Sequence, residues 1–266
     1  MILVKPYASQ PALPALNLGH PLLYKADFVM LGSQYKWNPL RRTVTYTGTH
    51  SFRFGPTYGA APIFSNAAHM AYPEPTASGG TSPWTIAGIF VPNSLSSNSG
   101  AIAGTCEAPG NATQDRCLMF SSTGKWEGYL HDGAVKRATS TASPVVGRAD
   151  TIVVTTNGSE IVCAVSGVPE VSVAVGTVGF VGYTSAEFVV GYANGTVLDG
   201  IGIPLFIRSQ RYWTLAERAS FMRNPWQIFT MQRRLPINGV AGAAPSSFMK
   251  LAGSRFSLAG HSGLAA

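Results

Sequence analysis

The chain has 266 residues, enough for one large domain with extensions or two small ones, and 45% of them are hydrophobic, ample for a buried core. Only 12% are charged, against about 25% in an average soluble domain, which argues against a free monomer and for an assembly subunit covered by its neighbours. The formal charge of +7 is uneven, at +4 over residues 1–80, −1 over 81–230 and +4 over 231–266, so basic flanks bracket a near-neutral middle. Such flanks fit docking on an acidic surface, or solubility alone.

Residues 1–24 hold Pro6, Pro11, Pro14 and Pro21 and read as an extended N-terminal arm. The opening MILVKPYASQ has neither an apolar h-region nor a small-residue cleavage site, so no signal peptide is expected, and no apolar run is long enough for a membrane span. KADFVML, TVTYTG and SFRFG follow as short strands, with Thr43, Thr45 and Thr47 alternating against Val44 and Tyr46. WTIAGIFVP is uncharged and rich in β-branched residues, the pattern of a strand covered on both faces. AIAGT and RCLMFSS are the next strands. Lys125–Leu130 and Val135–Thr139 flank the turn His131-Asp132-Gly133, and Thr151–Thr156 and Glu160–Val165 flank Asn157-Gly158, the stronger hairpin signal. VSVAV, Phe188–Tyr192 and Gly200–Ile207 complete the set. Cys163, in EIVCAV, reads as a small buried hydrophobe; Cys106 and Cys117 are able to cross-link a loop, though nothing requires it.

The convincing helix starts after Thr214, an N-cap residue with Glu217 three places on, a capping box. Leu215, Ala219 and Met222 recur at helical spacing as its apolar face, with Glu217, Arg218 and Arg223 pointing elsewhere. Asn224-Pro225 ends it, and Trp226, Ile228 and Phe229 supply apolar surface that must be buried. From about Arg233 the composition turns to Gly, Ala and Ser with scattered apolar residues, a tail that orders only against a partner.

The stretch FIRSQRYWTLAERASFMRNPWQIF, with Arg211, Leu215, Glu217, Asn224, Pro225, Trp226 and Phe229, resembles the closing element of the concanavalin A-like (laminin-G-type) lectin domains of bacteriophage virion proteins. ALNLGHPLL is similar to the His-Pro-Leu entry of the same group, and residues 58–73 match its Gly-x-Ala hairpin loosely, with Asn66 and His69 where acids are usual. Together with the strand pattern, this implies an all-β, two-sheet jelly-roll sandwich with one short C-terminal helix and extended arms. The expected organisation is an arm at 1–24, a laminin-G-like sandwich at 25–230 and a Gly/Ala/Ser-rich arm at 231–266. Thr214, Glu217, Pro225, Trp226 and Phe229 would anchor the closing element.

This fold also carries glycoside hydrolases, which need two carboxyls across a cleft. The nearest pairs here, Glu127 with Asp132 and Asp150 with Glu160, straddle hairpins and read as solvated strand-edge charges. Asp132, Asp150 and Asp199 are isolated acids in turns, too few for the oxygen cage of Ca²⁺, so no metal or other cofactor is expected. The five histidines are dispersed. Arg41-Arg42 and Arg233-Arg234 are short basic pairs without a recognition motif, so no specific nucleic acid is expected.

A sugar would need aromatic platforms, for which Trp37, Tyr58, Tyr72, Trp126, Tyr129 and Tyr183 are candidates. Trp126, between Lys125 and Glu127, reads as the exposed one, with Tyr129 and Asn157 beside it as candidate carbohydrate contacts. Arg41, Arg42, Arg233, Arg234, Phe248 and Phe256 are the candidate partner-docking residues. The expected function is a non-catalytic virion subunit, assembled in a bacterial host cytoplasm. It would be a homo-oligomeric capsid-decoration protein docked on the major capsid protein or other virion subunits. The competing class is a host-glycan-binding receptor module of a tail fibre or spike, and a glycosidase comes third.

Overall fold

In the computed structural model the alternating runs pair into two antiparallel sheets. The structure describes residues 15–36, 40, 43–65, 67–73, 82–93, 100–106, 114–121, 123–131, 135–175, 187–191 and 200–229, all within the unit Met1–Met231, and structural statements below concern these residues. In chain order the strands are β1 (Ala26–Leu31), β2 (Thr45–Thr47), β3 (Phe52–Gly55), β4 (Gly59–Phe64), β5 (His69–Pro73), β6 (Trp84–Pro92), β7 (Gly100–Cys106) and β8 (Gln114–Phe120). There follow β9 (Trp126–His131), β10 (Val135–Thr139), β11 (Asp150–Thr156), β12 (Glu160–Val165), β13 (Val171–Ala174), β14 (Glu187–Val190) and β15 (Ile201–Ser209), then helix α1 (Leu215–Arg223). One sheet has eight strands in the order β13-β12-β11-β6-β15-β4-β3, with β1 also on β15; the other has seven, β10-β9-β8-β7-β14-β5-β2. This is a β-sandwich with a single short helix.

The core between the sheets is aromatic. Phe28, Tyr72, Phe90, Trp126, Phe188 and Phe206 meet there with Ile152, Val154 and Ile161. Gly128 of β9 lets the sheets close, since a Cβ at that position would lie 2.8 Å from Val154 Cγ1. Strand β15 changes parity midway. Ile201 and Ile203 face the inner core, a register shift falls between Gly202 and Leu205, and thereafter Phe206 points in while Leu205 and Ile207 point out. Pro204 sits in that shift, where its missing N–H costs no ladder bond.

The outer face of the eight-stranded sheet is also buried, which is why β6 and β15 are buried along their whole length, as the uncharged run WTIAGIFVP predicts for β6. A second cluster covers it: Leu22 and Leu23 from the 3₁₀ turn Pro21–Leu23, Trp213 and Phe221 beside and on α1, and Trp226, Ile228 and Phe229 from the 3₁₀ turn Pro225–Ile228 and its end. Residues 15–24 of the stretch expected as an arm thus lie on the body, with Leu16 bridging to Phe229. The other parts of both arms, with Arg233, Arg234, Phe248 and Phe256, lie outside the described residues, as do Arg41 and Arg42.

The capping box of α1 forms as expected: Glu217 N–H donates to Thr214 Oγ1 at 3.4 Å and Thr214 N–H to Glu217 Oε2 at 2.9 Å. The buried face of the helix differs from the expected one. Leu215 is 64% exposed and Ala219 is exposed, while Arg218 and Phe221 are buried. The reason is a partner far off in sequence. Arg218 forks onto Glu170 at 2.9 and 2.7 Å and donates to Trp213 O at 2.5 Å, so its stem covers the sheet with its charge satisfied. Arg211 ties the helix to the entry turn, donating to Glu217 Oε2 at 2.9 Å and to Pro21 O at 2.7 Å. Beneath them Thr155 accepts from Trp213 N–H at 3.1 Å and shares a hydrogen bond with Thr85, whose hydroxyl reaches Arg211 O.

His50 is buried among rings, 4.9 Å from Tyr35 and 4.7 Å from Phe64, and neither of its nitrogens has a hydrogen-bond partner. Burial first, then the nearby charges of Lys36 and His69, hold it below the ordinary histidine value of 6.5; burial lowers His20 as well. A lowered folded value means stability that is full above the unfolded value and lost as pH falls through the folded one. The thermal midpoint is therefore expected to hold from pH 8 to 7 and drop below about 6.5. His50→Leu is expected to flatten part of that drop, and an unaltered acid limb would remove His50 as a cause.

Candidate functional site

On the outer face of the eight-stranded sheet, beside the closing element, lies an open groove of about 1040 Å³, at the top of the usual range for ligand pockets. Its floor is Ile89 of β6 and Thr151 of β11, with Tyr58 and Trp226. One wall is β3 and its turn into β4, from Arg53 to Tyr58; the opposite wall is the end of α1, from Arg223 to Trp226; the third side is the segment Gly147–Ala149. Tyr58 and Trp226 are 5% and 3% exposed; Phe54 is 74% exposed, but it alternates with Arg53 along β3 and its ring stacks on that of Phe52 at 6.3 Å, on the other face of the strand.

Three arginines line this groove, from three distant parts of the chain. Arg53 donates to Pro92 O at 3.4 Å and to Asn93 Oδ1 at 3.2 Å. The same carbonyl accepts Gly147 N–H at 2.9 Å. Gly147 has φ +81°, and a Cβ there would lie 2.7 Å from Arg53 Nη2, so glycine lets the loop bend and the guanidinium come close. Arg148 is held by Asp150 Oδ1 at 3.1 Å and by Ser143 O at 2.9 Å. Arg223 is exposed in the last turn of α1. Among the described residues no Asp or Glu lines the groove. It combines an apolar floor with a rim of hydrogen-bonding groups and arginines.

In the solved structures, the binding domain of Paraclostridial mosquitocidal protein 1 superposes with a TM-score of 0.59 at 11% identity, over 75% of this chain and 52% of that one. The binding domain of botulinum neurotoxin serotype D gives 0.58 at 10%, over 77% and 54%. The chain is similar to binding domains. Domain 4 of AbnA, a GH43 extracellular arabinanase from Geobacillus stearothermophilus, solved in complex with arabinotriose, gives 0.56 at 14%, over 74% of this chain and 98% of that one. The chain thus spans about half the length of the toxin domains and matches nearly all of the arabinanase domain. At these identities the likeness is one of fold. No protein-family model matches the sequence, and no curated protein matches it.

The three sequence-predicted sugar contacts are not brought together. Trp126, expected to be exposed, is fully buried between the sheets, its ring 4.4 Å from Phe120 and its Nε1–H donating to Asp150 Oδ2 at 2.9 Å. Tyr129 is half-buried on the outer face of the seven-stranded sheet, packed with Cys117 and Met119 and lying under the Arg137 guanidinium at 5.4 Å. Asn157 is at the β11–β12 turn, where its Oδ1 accepts Ser159 and Glu160 N–H, each at 2.9 Å, so its acceptor holds the turn. None of the three lines the groove. Of the other expected platforms, Tyr58 does, Tyr72 is core, and Trp37 and Tyr183 lie outside the described residues.

Of the acids expected to be solvated, Asp132 lies outside the described residues and the other three are structural. Glu127 is 2% exposed, accepting from Arg137 at 3.2 Å and Thr139 at 2.7 Å; Asp150 is 4% exposed and bridges Trp126 and Arg148. Glu160 accepts from Tyr212 at 2.9 Å. Among the described residues no three His, Cys, Asp or Glu side chains converge as a metal site would require. Cys163 is fully buried, which pushes its thiol up to about 12. Cys117 is buried too, and the side chain of Cys106 lies outside what is described.

Proposed function

We propose that the chain is a non-catalytic carbohydrate-binding module, and that the groove beside the closing element holds the sugar. The groove itself carries the reading. Its floor of Ile89, Tyr58 and Trp226 offers apolar surface to the C–H face of a sugar, and the arginines and turn groups around it offer hydrogen bonds to hydroxyls. Among the described residues its lining holds no acid of the kind glycoside hydrolysis pairs. Similarity to an arabinanase domain solved with arabinotriose supports the same reading.

The setting we propose is a bacteriophage particle, as a receptor module of a tail fibre or spike. The resemblance of residues 206–229 to virion lectin domains is its support. A capsid-decoration subunit is the second reading, favoured by the basic flanks on a charge-poor chain. It would put Arg41, Arg42, Arg233, Arg234, Phe248 and Phe256 against the shell. Imaging the particle separates the two, because decoration requires high copy on the capsid and a receptor low copy on the tail.

The test of the groove is retention of the full chain on a broad glycan array. Thr151→Trp, which fills the groove from its half-buried floor position, is expected to weaken retention at least about ten-fold. The thermal midpoint of the variant shows whether it keeps the fold. Undiminished retention by this variant would move the sugar elsewhere, and no retained glycan would end the carbohydrate reading.

A further inference from the structure

We infer that the groove selects acidic oligosaccharides, those bearing carboxylate or sulfate groups, over neutral ones; this rests on the carbohydrate reading above. The argument is one of charge placed and not answered. Arg53, Arg148 and Arg223 line one groove with no acid among its lining residues. The Arg148 guanidinium is held by Asp150 and Ser143, which lie outside that lining, and this leaves Arg53 and Arg223. The C-terminal end of α1, where Arg223 sits, offsets roughly half of another through the helix dipole. More than one positive charge is left in a concavity with an apolar floor, where a facing anion is screened less than on open surface.

One of these two cations is also set in place before any ligand arrives. Arg53 is pinned by the carbonyl of Pro92 and the amide of Asn93, and Gly147 leaves it the space. Fixed guanidiniums lose little entropy on gripping an oxyanion, and their planar fork suits carboxylate and sulfate alike. Neutral sugar hydroxyls do not need such a concentration of charge.

The experiment uses the full chain on matched pairs of probes: sialyllactose against lactose, and oligogalacturonate against its methyl ester, together with sulfated oligosaccharides and their unsulfated parents. The expected result is retention of an acidic member and not of its neutral partner, weakened by salt. Arg223→Gln, which removes an exposed charge and leaves the pinned arginines alone, should lower that affinity roughly ten-fold or more without shifting the thermal midpoint. Neutral and acidic partners retained alike would overturn the inference and leave the carbohydrate reading standing. Retention of no glycan at all would overturn both. Single-stranded DNA held as tightly as the best acidic glycan would also overturn it, because the groove would then be reading polyanions without the sugar.

Discussion

Trp126→Ala is expected to destabilise the fold by about 3–5 kcal/mol, the range for emptying a large aromatic site in a packed core. The ring is fully buried, 4.4 Å from Phe120 and 6.1 Å from Phe90, at the place where β9 faces the eight-stranded sheet. Its indole N–H also serves the buried carboxylate of Asp150, which would keep only Arg148 among these donors. Because a domain holds about 5–15 kcal/mol in all, the variant should unfold at much lower urea. Trp126→Phe separates the two contributions. It keeps most of the ring and loses the donor, and should cost about 1–3 kcal/mol. A Trp126→Ala midpoint within about 0.5 kcal/mol of the parent would contradict the burial. The same substitution is a poor probe of sugar binding, since any lost retention would follow from unfolding.

How Trp126 reads in the sequence explains what was legible. Lys125 and Glu127 beside it look like signs of an exposed hairpin, yet in a strand neighbouring side chains point to opposite faces. Charges at the positions before and after are therefore a reason to bury the residue between them. Applied strictly, the two-residue period places Trp126 in the core and Glu127 on the opposite face of β9, where Arg137 and Thr139 cover it. Most strands, and the capping box at Thr214 and Glu217, were readable because their signals are local. The buried face of α1 was not, because Arg218 turns inward only for Glu170, 48 positions away. The groove was hidden for the same reason. Arg53, Arg148 and Arg223 belong to a hairpin, a loop and a helix end that the sheet order alone brings together. Its one local signal, a glycine beside an arginine at 147–148, is common to many turns.

The second large effect is expected at the ion pair of Asp27 and Arg208, which are 5% and 3% exposed. Asp27 occupies the register shift between Ala26 and Phe28 where β1 joins β15, and its Oδ2 accepts from Arg208 Nη1 and from Gln210 Nε2. The Arg208 guanidinium lies 4.8 Å from the Phe188 ring and 5.9 Å from that of Tyr72, so it sits among the core aromatics rather than at the surface. Arg208→Leu removes a cation and keeps an apolar stem, but strands a carboxylate in a medium that stabilises charge poorly. A cost of about 3–5 kcal/mol is expected, most of it from the group left behind. If so, adding Asp27→Leu should restore most of the loss, because a paired charge exchanged for apolar packing is often near neutral. Urea midpoints of the two single variants and the double variant decide it. Additive losses, with the double variant worse than either single one, would mean that the two side chains stabilise the fold separately. Recovery would mean that the pair is worth little in stability, and that it serves to fix the register in which β1 seats on β15, holding the outer face that carries α1 and the groove.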